Sequence, residues 1–113
     1  MNTPPSLREL VKDGEKALLW TEVADYQAFF DQDGEIITYH SIDDEIYTEE
    51  SAKLHEHYNI KVVKFDLPQD IHRDLEHRLY DGNDGNPGSK TRGDVAENLF
   101  RDRLQPYVKR ELE

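Results

Sequence analysis

The sequence predicts a small α+β domain: one mostly antiparallel sheet of three or four strands, with helices packed on one face. Three observations predict it. Short β-rich runs at 26–30, 36–40 and 60–65 are bounded by turn residues. Apolar residues recur at helical spacing at Ile71, Leu75 and Leu79, and again at Ala96, Leu99, Phe100 and Leu104. Strands come both before and between helices, in the order α–β–β–β–α–β–α–α, which favours a sheet covered by helices on one side. The other side of such a sheet is solvated or binds something.

The elements follow in order. Ser6 and Glu9 form a capping box for a short helix from Leu7 to Lys12, stopped at Asp13-Gly14. The run KALLWTEV comes next. Tyr26–Phe30 and Ile36–His40 then flank a polar loop in which Gly34 is available for positive φ, a β-hairpin pattern. A helix over Glu22–Phe30 competes, since Val23, Tyr26 and Phe30 also have helical spacing. Thr48 caps a helix to about Tyr58, with Glu49 and Glu50 in its first turn, where the helix dipole favours negative charge. IKVVKF at 60–65 reads as a strand. Asp66 and Gln69 predict a capping box for a helix reaching about Tyr80, with Pro68 in its first turn. Asp94 and Glu97 predict another, and Pro106 ends or kinks the helix that follows.

A chain of 113 residues fits one domain, expected to span 1–113 and to bury roughly 65% of its unfolded surface. Apolar and charged residues each make up 35%, so the core is thin and the surface very polar. Trp20, four Phe and six Tyr supply burial in large units and argue against disorder. Cysteine is absent, which removes disulfides, zinc-thiolate sites, iron–sulfur clusters and a cysteine nucleophile, and points to a cytoplasmic setting. MNTPPSLREL has no apolar core of a signal peptide, and no apolar run is long enough to span a membrane.

The net charge of −11 disfavours direct binding to nucleic acid or to an anionic membrane. Its distribution along the chain is uneven. Residues 13–50 hold twelve acids and one base, Lys16, and the remaining residues are balanced. Soluble surfaces ordinarily intersperse the two signs, because clustered like charges repel. The same stretch carries Trp20, Tyr26, Phe29, Phe30, Tyr39 and Tyr47, and aromatics set among charge are what interface hot spots use.

The run DGNDGNPGSKTRGD at 81–94 imitates several motifs and fits none. As a phosphate loop its spacing fails: five residues separate Gly82 from Gly88, and Ser89 intervenes before Lys90. As a calcium loop it places Arg92 where a bidentate Glu is required. Residues 81–93 therefore read as a flexible glycine-rich loop. The histidines lack zincin spacing, no Lys has an acid two residues before it, and no G-x-S-x-G elbow exists. No cofactor is implied.

These features converge on an acidic binding protein that docks on a basic macromolecular surface: an inhibitor, immunity or anti-defence protein, in part a DNA mimic. The expected contact residues are Asp31, Asp33, Glu35, Asp43, Asp44, Glu45, Glu49 and Glu50, with Trp20, Tyr26 and Tyr47 as anchors. The expected partner is a basic protein, such as a nucleic-acid-binding enzyme or a cationic toxin. The alternatives are a small metal-dependent hydrolase using His40 with Asp43 or Asp44, and a housekeeping domain whose acidity only keeps it soluble.

Overall fold

The computed structural model describes residues 7–12, 14–41, 59–89 and 91–113. The helix expected at 48–58 and the Ser6 cap lie outside them. The elements are α1 (Leu7–Leu10), β1 (Ala17–Val23), β2 (Tyr26–Phe30), β3 (Ile36–Ser41), β4 (Lys61–Lys64), α2 (Gln69–Asp81), α3 (Arg92–Leu99), a π-helical turn (Phe100–Leu104) and α4 (Gln105–Glu111). The four strands form one sheet in the order β3-β2-β1-β4. Strands β1, β2 and β3 make an antiparallel meander, and β4 joins the far side of β1 in parallel. The expected α+β class is the observed one, with the mostly antiparallel sheet completed by one parallel pair.

The residues of 22–30 form strands and not a helix, because period-two burial wins. Along β1, Ala17, Leu19, Thr21 and Val23 are buried, while Leu18, Trp20 and Glu22 are less so. The register sets Leu19 beside Phe30, Thr21 beside Ala28 and Val23 beside Tyr26. This face meets Leu75 and Leu79 of α2, Val95, Ala96 and Leu99 of α3, Phe100 and Leu104 of the π turn, and Val108 of α4 in one core cluster. At its centre Phe100 meets Tyr26 and Tyr39 edge-on, with centroids 5.8 and 5.4 Å away.

Two helix starts differ from the expected ones. α2 begins at Gln69 behind Pro68, whose ψ of 144° is extended, and no side chain caps it. Asp66 stands too far upstream for its capping box to form. α3 begins at Arg92, one turn earlier than Asp94 suggested. Thr91 is its cap, accepting from the Asp94 N–H at 3.1 Å, so Asp94 sits in the first turn.

Pro106 does not stop the final helix. In a regular α-helix its ring would clash with the carbonyl of Asp102. The backbone widens just before it, so that the Gln105 N–H bonds to the Phe100 carbonyl, five residues back. The same widening serves packing. Ala96, Phe100, Leu104 and Val108 are all buried at intervals of four, a spacing that overshoots an α-helical turn of about 3.6 residues. A wider turn keeps the stripe on the core.

The two hairpin turns have opposite backbone economies. β1 and β2 are joined through Ala24 and Asp25, and Ala24 carries φ 54°, a left-handed conformation that an L side chain resists. The β2–β3 turn is organised by Asp31, whose Oδ1 accepts from the Asp33 and Glu35 N–H groups at 2.9 and 3.0 Å. There Gly34 has φ 83° and lies flat on α4: an added Cβ would stand 2.9 Å from Lys109 Cγ and 3.1 Å from Lys109 Cα. Gln105 holds the turn from the same side, its Oε1 accepting from the Ile36 N–H at 2.7 Å. Gly34→Ala should therefore cost about 2–4 kcal/mol in chemical denaturation, from positive φ plus overpacking. Ala24→Gly should raise stability by up to about 1 kcal/mol, because relief of the turn exceeds the added chain entropy.

Candidate binding surface

The face of the sheet away from the core cluster carries Leu18, Trp20 and Glu22 of β1, Gln27 and Phe29 of β2, Thr38 and His40 of β3, and Val62 and Lys64 of β4, as the register requires. One rung crosses all four strands: Lys64, Trp20, Phe29 and Thr38 are successive partners. Trp20 stacks on Phe29 at 6.1 Å, and the Lys64 ammonium sits 4.9 Å from the Trp20 ring, a cation–π geometry. The His40 ring meets Phe29 edge-on at 5.9 Å. Trp20 is thus a half-buried member of an ordered row, whereas Phe29 and Gln27 are buried outright.

The expected anchor Tyr26 belongs to the other face. It is only 8% exposed, packed against Phe100 and Tyr39 in the core. Alternation along β2 decides this, since Tyr26, Ala28 and Phe30 share the helix-covered side. Tyr47, Asp43, Asp44, Glu45, Glu49 and Glu50 lie outside the described residues.

The described acids of the 13–50 stretch are mostly paired with bases from elsewhere in the chain. Glu15 lies 3.5 Å from Lys61, Glu22 3.7 Å from Lys64 and Glu35 2.5 Å from Lys109. Asp25 pairs with Arg92, whose guanidinium also lies over the rings of Tyr26 and Tyr80, at 5.4 and 5.6 Å. The described part of the one-signed block is therefore interleaved with cations in space, because Lys61 and Lys64 of β4, Arg92 of α3 and Lys109 of α4 come alongside it. These exposed pairs add little stability, about 0–1 kcal/mol each, but they cancel local potential. Asp31 is engaged by its own turn, and Asp33 is exposed at the turn's tip.

The glycine loop contains a carboxylate that its spacing did not single out. Asp84 is buried, 8% exposed. Its Oδ1 accepts from the Asn86 N–H at 2.9 Å, and its Oδ2 accepts from the Ser89 hydroxyl at 2.5 Å and the Asn98 amide at 2.6 Å. The Asn98 amide also donates to Ser89 Oγ at 2.7 Å. These donors, that of Ser89 first, hold the Asp84 carboxyl down at about 2. So low a value makes it a poor base for activating Ser89, and the trio reads as architecture. The only advance signal was an Asx-turn pattern, Asn-Asp-Gly-Asn, in a run of turn residues.

For metal chemistry, no group of three or more His, Asp or Glu among the described residues is placed to hold an ion. His40 stands beside Phe29, and the acids expected to join it, Asp43 and Asp44, lie outside the described residues. No described helix is long and apolar enough to cross a membrane.

A carboxyl held below its ordinary value stabilises the fold when ionised. The Asp84 contribution is complete above the ordinary value of 3.8 and disappears as pH falls toward about 2. Denaturation curves at stepwise lower pH should show a loss of stability across that window, and Asp84→Asn should remove that component of the pH dependence. The chain matches no protein-family model, and no curated protein or solved structure is significantly similar to it.

Proposed function

We propose that this protein is a small acidic binding protein that docks on a basic macromolecular surface, as an inhibitor, immunity protein or anti-defence protein does. Its carboxylates stand in for phosphates, speed the encounter and pair with Arg or Lys of the partner. The partner class is a basic protein, a nucleic-acid-binding enzyme or a cationic toxin, in a cytoplasmic setting.

One observation carries the reading. Lys61, Lys64, Arg92 and Lys109 pair with Glu15, Glu22, Asp25 and Glu35, which moves the reading onto the exposed Asp33 and onto the composition of residues 42–50. That segment, IDDEIYTEE, follows β3 and holds five acids and no base. The contact set accordingly narrows to Asp33, Asp43, Asp44, Glu45, Glu49 and Glu50, with Tyr47 and the half-buried Trp20 as candidate anchors. Asp31, Glu35 and Tyr26 do structural work.

Two charge-neutralising variants separate the roles. One replaces Asp43, Asp44, Glu45, Glu49 and Glu50 by their amides; the other so replaces Glu22, Asp25 and Glu35. The immobilised protein is exposed to cell lysate at low salt and eluted in a salt gradient. The wild type should retain a discrete basic protein and release it steeply with salt. The first variant should lose that retention, with association of the captured protein slowed roughly 10–1,000-fold. The second should keep retention and lose a little stability. Retention that ignores salt, or survives the first set of changes, overturns the reading.

A further inference from the structure

The segment from Gly82 to Ser89 joins α2 to α3, and it contributes no residue to the core cluster. Gly82, Asn83, Gly85, Asn86, Pro87 and Gly88 are exposed; Asp84 alone is buried. At its start the segment is tied to the end of α2, where the Gly82 and Asn83 N–H groups both donate to the Arg78 carbonyl. Gly82 and Gly85 sit at φ 66° and 84° with open space around them, so backbone rotation there meets no side chain. Toward α3, the described hydrogen bonds of its side chains converge on one node, Asp84 with Ser89 and Asn98.

The two ends of the segment, Gly82 and Ser89, line a cleft of about 300 Å³ together with Tyr80, Asp81, Thr91 and Arg92. Leu79 and Val95 line the same cleft, and they are 1% and 2% exposed. Tyr80, at 64% exposed, stands at its edge. A segment without apolar anchors, held by a few polar contacts, belongs to the low-stability end of a fold and opens ahead of the core.

We propose that Gly82–Ser89 is a strap held against α3 by a single-carboxylate latch, Asp84, bonded to Ser89 and Asn98, and that it opens as a unit while the sheet stays folded. The latch sets how often the segment between α2 and α3 leaves its folded position. Asn98 is the keeper on α3: its amide donates to both Asp84 and Ser89, so the strap and the helix separate only when those two bonds break. This inference is independent of the acidic-surface reading, since none of its residues belongs to that contact set.

Amide hydrogen exchange on the full-length protein tests it, in the wild type, Asp84→Ala and Asn98→Ala. In the wild type, the Asn86 and Ser89 amides should exchange through an opening that leaves the β1–β2 ladder protected. In Asp84→Ala, exchange at Asn86 and Ser89 should accelerate roughly 10–100-fold, the effect of losing hydrogen bonds to a charged group. The ladder amides should keep their wild-type rates. Asn98→Ala retains the carboxylate and should give a smaller acceleration confined to the same amides. The proposal fails if strap amides in the wild type are as slow as the ladder. It fails equally if either variant leaves the strap unchanged, or accelerates strap and ladder alike, as global destabilisation would.

Discussion

Phe100 is fully buried on the helix-covered face of the sheet, between Tyr26 of β2 and Tyr39 of β3. Much of the architecture follows from that one ring. It stands at the junction of α3 with the π turn, so the helix must keep its buried stripe in register across Pro106. The wider turn does both things at once: it makes room for the proline ring and returns Leu104 and Val108 to the core. From there α4 reaches the β2–β3 turn, where Gly34, Ile36 and Glu35 are met by Lys109 and Gln105. The Tyr39 hydroxyl closes the arrangement from the sheet side by donating to the Gly93 carbonyl at 3.3 Å.

The electrostatics depend on the same packing. Lysines and arginines distant in sequence are delivered to the acidic meander by the strand and helices that cover it. Arg92 is the most fully used of them, paired with Asp25 and stacked over two tyrosines. What distinguishes the 42–50 stretch from the meander is density: neither has a base of its own, but five acids fall within nine residues at 42–50 and are spread over residues 17–41 in the meander.

Much of the fold was legible in the sequence, and the reasons are local. β2, β3, β4 and α2 announce themselves by alternation, β-branched content or four-residue apolar spacing, which act within a few residues. The competing helical pattern over 22–30 lost because Val23 and Tyr26 pair across a turn, a fact that no window of one strand contains. Thr91 took the cap from Asp94 because the β-region backbone at 91 and the helical backbone from Arg92 onward place its hydroxyl on the right N–H. The site was less legible. Tyr26 looks like an anchor by composition and is core by alternation. The partners of Glu22, Asp25 and Glu35 lie 42, 67 and 74 residues away, beyond any sequence pattern. Asp84 has the same difficulty: its role depends on Asn98, which belongs to another element.

The parallel pairing of β4 with β1 has a kinetic consequence. β1, β2 and β3 are joined by tight turns, so their ladders close small loops at low entropic cost. β4 reaches β1 only after the chain has travelled from Ser41 to Lys61, and it contributes four residues when it arrives. Its pairing bears a larger loop-closure entropy and returns a short ladder for it. The meander is thus the part of the sheet that assembles first, and the edge strand is the part that joins late and leaves early.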